Sequence, residues 1–380
     1  MAYKEDRNVF VGSLLGSIKG IKLEKKNGVW SSITKNLRKV DRLGSSQAVT
    51  AMSWGDEEQK EILIGLADQT VKVYDTEYSG FGSTFKADVG EGKICGVSRF
   101  QEGAVIAVQS GHIKIMAHET DGILEIGGPM EKMKHSSLSN NIVATGGKEK
   151  ELQLWDLEEK KCIFTAKNVR HDYLELRVPV WVSDIDFLPN SNKVAICSKY
   201  GHVRIYDPKG HQRRPVFDFH IPEQVLTACS VSASGDKIVV GSGTGHMTAV
   251  DTRGKGCLHH QYKGSVGSIR EIVCHPTESL IFSVGLDRHL KVHSLESPKL
   301  LFKEYLNTKL NCVLVRNELF YKHPKEKAAV DSDCEIIELS DNEENLSSVT
   351  HEKRALNKLF EDMESVIDVH KAKKTKRKRV

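Results

Sequence analysis

The chain has 380 residues, 39% of them hydrophobic and 30 of them glycine, and its 55 basic residues barely outnumber its 51 acidic ones. That near balance excludes a protein living mainly on phosphate contacts, because each neutralised phosphate requires its own cation. Eight cysteines without a C-x-x-C pair exclude the usual zinc framework, and no apolar run approaches the roughly 18 residues of a membrane span; with a charged stretch at residues 1–7 in place of a leader, a soluble intracellular protein is expected.

Residues 9–22 (VFVGSLLGSIKGIK) read as an apolar strand, a polar turn and a second, alternating strand. The same pattern recurs at 62–75, 104–117, 141–156, 194–207, 238–251 and 281–294. Its equivalent last positions are Lys22, Asp75, Ala117, Asp156, Asp207, Asp251 and Ser294, in steps of 39 to 53 residues. The copy at 104–117 is the weakest, lacking a terminal aromatic-Asp pair.

Repeats of about 40 to 45 residues ending in such a pair are the sequence form of a WD-type β-propeller, and Trp155 with Asp156 is the literal pair. A single sheet cannot bury both faces alone, so seven copies predict an all-β, seven-bladed ring. Alternating segments at 49–54, 182–187, 226–231 and 269–274 supply further strands. Only eight residues precede the first motif, so two strands of its blade are expected from the other end, at 309–315 and 318–321, closing the ring through both termini.

The longer steps mark inserts at 24–43, read as a strand extension plus loop, and at 167–181. Long loops on a rigid scaffold tend to carry binding surface. The propeller is assigned to 1–322. Beyond it come an acidic linker at 323–350, a short amphipathic helix at 351–370 within a mostly disordered tail, and a basic end at 371–380. Lys371, Lys373, Lys374, Lys376, Arg377, Lys378 and Arg379 form a run of the kind an importin reads, which points to the nucleus. Residues 334–341 (CEIIELSD) set a short apolar core among acids; this is a form that can add as a strand in the manner of a SUMO-binding segment, or simply a solvated linker.

No motif supports catalysis. The chain has no Walker loop, G-x-S-x-G or H-E-x-x-H, and the glycine-rich stretch 241–245 falls at the turn inside a repeat with no helix after it. Neither a metal nor a cofactor is expected. His112, His202 and His246 follow glycine at one turn of three different blades, which a ring keeps apart. Outside 323–380 the surplus of basic over acidic residues is five, 43 against 38. Arg170, His171, Arg177, Lys199, Arg213 and Arg214 fall in neighbouring stretches around one blade, either as a solvated loop face or as a docking patch for RNA or an acidic protein surface.

Residues 168–181 (NVRHDYLELRVPVW), 203–207 (VRIYD) and 212–216 (QRRPV) resemble the WD repeat-containing protein 74 family across the propeller and basic tail. The resemblance implies a non-catalytic ribosome biogenesis factor of the nucleolus. Such a factor would ride on the pre-60S ribosomal particle, contact rRNA and neighbouring assembly factors, be released by a nuclear AAA ATPase, and be linked to the exosome-associated RNA helicase. It places a docking patch at Arg170, His171, Arg177, Trp181, Arg213 and Arg214. The competing expectation is a nuclear adaptor for a chromatin or ubiquitin-ligase complex.

Overall fold

In the computed structural model, residues 6–319 are described, apart from 39–43, 118–120, 172–173, 211 and 255. The acidic linker, the helix expected at 351–370, the segment 334–341 and the basic end all lie outside the described residues. Within them, 28 strands form seven four-stranded antiparallel sheets, and the one helical element is the short turn Ser45–Gln47.

Each repeat motif supplies the middle two strands of a blade, and the blades are numbered 1 to 7 in the chain order of their motifs, from 9–22 to 281–294. The alternating segments before the motifs are the first strands, observed at Val49–Trp54, Val182–Phe187, Leu226–Val231 and Ile269–Cys274 as expected. The two motif strands are joined by a turn in which one residue of every blade takes a left-handed conformation: Gly16, Gln69, Gly111, Glu149, Gly201, Gly245 and Arg288, with φ between 54° and 97°. At Gly201 there is a second constraint, since a Cβ there would lie 2.3 Å from the Ile221 carbonyl oxygen.

The first strands touch one another in sequence around a ring, from Val49–Trp54 through Ile94–Phe100, Met130–His135, Val182–Phe187, Leu226–Val231 and Ile269–Cys274 to Leu310–Val315 and back. Apolar side chains fill the seven spaces between adjacent sheets, giving seven separate core clusters. The cluster between blades 4 and 5 includes Leu152, Leu154, Phe164, Val180, Val182, Ile196 and Tyr206. No blade has a core of its own, so the ring folds as a set of shared interfaces.

Closure differs from expectation in one respect. The C-terminal end contributes a single strand, Leu310–Val315, which pairs antiparallel with Val9–Ser13. The insert at 24–43 is not a mere extension with a loop. It contains Val29–Asn36, which pairs with Ile18–Lys26 and completes blade 1 from the N-terminal side. Glu318 and Leu319 form no strand; Leu319 is buried in the core between blades 7 and 1, and its carbonyl accepts Asn8 Nδ2 at 2.6 Å. Trp54 Nε1 donates to the Val315 carbonyl at 3.2 Å, tying blade 2 to the closing strand.

A bulge recurs near the start of every first strand, always at its second residue: Thr50, Cys95, Glu131, Ser183, Thr227, Arg270 and Asn311. Four of these side chains donate to the carbonyl that begins the next first strand. Cys95 reaches Met130 at 3.1 Å, Ser183 reaches Leu226 at 2.8 Å, Thr227 reaches Ile269 at 2.7 Å and Asn311 reaches Val49 at 2.8 Å. Burial pushes the Cys95 thiol up to about 12, which keeps it protonated and able to donate.

Candidate docking surface

Glu131 occupies this bulge position in blade 4, and a carboxylate cannot donate to the neighbouring carbonyl. It turns instead to the insert at 167–181. Glu131 Oε1 accepts Trp181 Nε1 at 3.4 Å and pairs with Lys199 Nζ at 3.4 Å. Lys199 Nζ also lies 4.0 Å from the centre of a Trp181 ring and Lys148 Nζ lies 5.0 Å from it, so the half-buried indole sits against two ammonium groups. A backbone bridge pairs Lys148 with Trp181, and Lys199 N donates to the Trp181 carbonyl at 3.0 Å.

The start of the insert is held as firmly. Lys167 N donates to the Arg213 carbonyl at 2.8 Å, and Asn168 Nδ2 donates to the Val178 carbonyl at 2.6 Å, drawing the two limbs of the loop together. Glu149 N donates to the Val180 carbonyl at 3.0 Å. Beneath lies Arg204, 3% exposed, donating through Nε to Asp218 and through Nη1 to Asn168, both at 3.2 Å. Burial pushes the Glu151 carboxyl above its ordinary value, opposed by the cations of Arg177, Arg204 and Arg213 and by a hydrogen bond from the Asn168 backbone.

The expected site residues therefore divide into two groups. Arg177 and Arg213 are exposed, their cations favouring the charged form of Glu151, and Arg170 and His171 stand exposed on the same strap. Trp181 is a clamp inside a satisfied cluster, and Val180 beside it is core. Arg214 is half-buried, its Nε having no hydrogen-bond partner. The strap straddles the boundary of blades 4 and 5 rather than surrounding one blade. Glu131, Lys148, Glu151 and Arg204 were not singled out from sequence. Glu131 had a detectable signal, as the one acid at a position held elsewhere by Thr, Cys, Ser, Asn and Arg.

Near blade 4 the central channel is crossed by ion pairs. Lys132 Nζ reaches across it, 3.3 Å from Asp184 on blade 5 and 3.4 Å from Glu271 on blade 7, while Lys134 pairs with Asp186 at 3.5 Å. Burial by itself would lower the Lys132 ammonium, but Asp184 and Glu271 outweigh it and hold it well above its ordinary value. A cavity of about 170 Å³ remains among these side chains, Ser230 and Cys274. Among the described residues no group of His, Cys, Asp or Glu is arranged to hold a metal ion, and no helix is long and apolar enough to cross a membrane.

Seven sheets closed by strands from both ends, each carrying the same bulged first strand and left-handed turn, define a WD-repeat β-propeller, and the WD domain, G-beta repeat family matches residues 176–207. Over 317 residues the chain is 38% identical to WD repeat-containing protein 74 of Bos taurus and 37% identical to that of Homo sapiens, covering 81% of this chain and 80% of each relative. It belongs to the WD repeat-containing protein 74 family. A more distant relative is ribosome biogenesis protein nsa1 of Schizosaccharomyces pombe, 25% identical over 306 residues, or 72% of this chain and 73% of that protein.

Proposed function

We propose that the protein is a non-catalytic scaffold in ribosome biogenesis, docking on the pre-60S particle through the strap at 167–181 and the adjoining residues 212–216. One observation carries the docking reading. The two described limbs of a long insert, 167–171 and 174–181, are tied to the blade beneath and the blade beside them, so a partner meets limbs already held in place and loses little entropy on binding. The name of the nsa1 relative supplies the ribosomal setting. rRNA and neighbouring assembly factors are the contacts proposed for Arg170, His171, Arg177, Trp181, Arg213 and Arg214, with Trp181 acting by holding the strap. Release by a nuclear AAA ATPase and the link to the exosome-associated RNA helicase remain part of this proposal on the strength of the family alone.

A peptide-reading nuclear adaptor is less well supported. Such a module would use the mouth of the channel, which is crossed here by the Lys132 ion pairs.

The test is sedimentation of nuclear extract. Since the Arg213 cation favours the charged form of Glu151, a glutamate there would oppose it with a like charge, so Arg170→Glu combined with Arg213→Gln is the cleaner variant. It is expected to melt within about 3 °C of the parent and to lose about tenfold of its co-sedimentation with 60S-sized precursors, as expected when two interface arginines are removed. A folded variant that co-sediments normally would remove the patch. For localisation, importin recognition of Lys371, Lys373, Lys374, Lys376, Arg377, Lys378 and Arg379 is proposed to place the protein in the nucleus and nucleolus. Deleting 371–380 should then move it toward the cytoplasm, and undiminished nuclear retention would reject that signal.

A further inference from the structure

The outer edges of the blades differ in how open they are to pairing. In blades 2, 4, 6 and 7 a bulge breaks the register between the third and fourth strands. In blades 3 and 5 the fourth strand, Gly122–Glu125 or Phe217–His220, has only four residues. Bulges and short strands are devices that keep a sheet edge from pairing with other chains. Blade 1 has neither, for Val29–Asn36 runs eight residues in one unbroken register with residues 19–26.

This edge is also held in place. Trp30 packs on Phe302 of blade 7 with ring centres 6.4 Å apart, and Ser32 Oγ donates to Glu304 at 2.8 Å. Leu37 N donates to the Ile18 carbonyl, and without a bulge the backbone alternates from there. Ser31, Ile33 and Lys35 thus turn N–H and C=O inward, whereas Ser32, Thr34 and Asn36 turn theirs outward, where no described residue bonds them. On the face away from Trp30, Val29 is 70% exposed and Ile33 66%, while no other fourth strand exposes more than one large aliphatic side chain. The acid on that face is already engaged: Glu24 pairs with Lys22 at 2.9 Å and with Lys26 at 2.6 Å, and Lys22 pairs again with Asp6 at 3.2 Å. Lys35, at the far end of the face, meets no carboxylate among the described residues.

A ladder of outward N–H and C=O groups beside alternate apolar side chains is matched in spacing by another strand. We propose that a partner protein adds a strand antiparallel to Val29–Asn36, with Asp or Glu opposite Lys35 and β-branched aliphatic residues opposite Ile33 and Val29. A second copy of the chain is a poor occupant, because Val29–Asn36 contains no acid to offer Lys35. This edge belongs to blade 1, apart from the strap of blades 4 and 5, so the proposal stands independently of the docking role above.

The experiment follows amide hydrogen exchange in the purified full chain with a capped synthetic peptide, Glu-Thr-Val-Thr-Thr-Thr-Val, added at about 1 mM. Exchange at Ser32, Thr34 and Asn36 should slow several-fold. Thr34→Pro deletes an outward N–H but no bond to the preceding strand, so it should melt within about 3 °C of the parent and bind the peptide at least about tenfold more weakly. Lys35→Glu should weaken binding about threefold, and a peptide with Lys in place of its Glu should recover it. Should Thr34→Pro misfold, Val29→Ser with Ile33→Ser reads the same surface, with an unchanged melting temperature and several-fold weaker binding expected because both side chains are exposed. No slowing with the parent, slowing that persists in a folded Thr34→Pro, or a Lys35→Glu variant that prefers the Glu peptide overturns the proposal. So does protection of these three amides without peptide, whether in a dimer, where a second copy covers the edge, or in a monomer, where the chain covers it itself.

Discussion

The boundary between blades 5 and 6 and the boundary between blades 4 and 5 start from the same bulged position but are fastened differently. At the first, Ser183 donates to the Leu226 carbonyl, and the carboxylates of Asp184 and Asp186 accept Cys229 N and Val231 N, each at 2.9 Å. At the second, Glu131 offers no donor to the neighbouring strand, and the blades are joined by Lys132 to Asp184, Lys134 to Asp186 and the Trp181 clamp. Bonds to backbone hold the first boundary wherever the strand runs, so it needs no insert. Side-chain pairs hold the second, beside the backbone tie of Lys148 and Glu149 to Val180 and Trp181, and one of them reaches out to the loop that forms the docking surface. Replacing the donor with an acid thus couples the ring to its strap.

The comparison can be broken most forcefully at Asp184, which serves both boundaries. Asp184→Ala removes one of the two carboxylates facing Lys132 and the acceptor of Cys229 N together, leaving a crowded ammonium with Glu271 alone and a buried N–H without its oxygen. A loss of about 3 kcal/mol is expected from the urea unfolding midpoint. A loss below about 1 kcal/mol would mean that the channel charges do not fasten the ring. Next in size is Trp181→Ala, which empties the clamp on one side only. It should cost about 2 kcal/mol, less than a fully buried indole because this ring is half-exposed. The strap should also become more susceptible to limited proteolysis within 167–181 while cleavage elsewhere is unchanged. Equal resistance of the strap in the variant and the parent would show that Asn168 and the backbone bonds suffice.

Much of the ring was legible because its physics is periodic. Alternation and spacing located all seven middle pairs to within a few residues at their ends and four of the first strands to the residue. Even the copy at 104–117, with no aromatic-Asp ending, folds as Gly103–Val108 and His112–Met116. The error at closure arose where periodicity fails. Val29–Asn36 is mostly exposed on both faces, so no hydrophobic alternation marks it as a strand, and what fixes it is pairing with Ile18–Lys26 around the tight Asn27-Gly28 turn. The site was harder to read for a different reason. Basic residues recur in the third strand of a blade at Lys19, Lys72, Lys114, Arg204 and Lys291, so Arg204 looks like one more member of a structural series. Lys114 indeed donates to the Ala87 carbonyl at 2.7 Å. Nothing local in the sequence tells that Arg204 alone meets Asn168 of an insert, because that contact joins residues 36 positions apart through a loop of irregular path.

The smallest effect is the most informative about how the clamp works. Glu131→Gln keeps the shape of the side chain and an oxygen able to accept Trp181 Nε1, but removes the charge facing Lys199. Partly exposed ion pairs contribute little beyond their hydrogen bonds, since water and salt screen them and both chains lose rotamer freedom. Stability should therefore change by less than about 0.5 kcal/mol, and the strap should remain protected from protease. The amide also brings a donor to the bulge position, as Asn311 of blade 1 does when it reaches the Val49 carbonyl of blade 2, so a slight gain is as consistent as a slight loss. A drop above about 1.5 kcal/mol, relieved by high salt in neither protein, would show that the carboxylate's charge itself joins blades 4 and 5. The boundary would then be an electrostatic joint rather than an aromatic one, and the contrast with the Ser183 boundary would be sharper still.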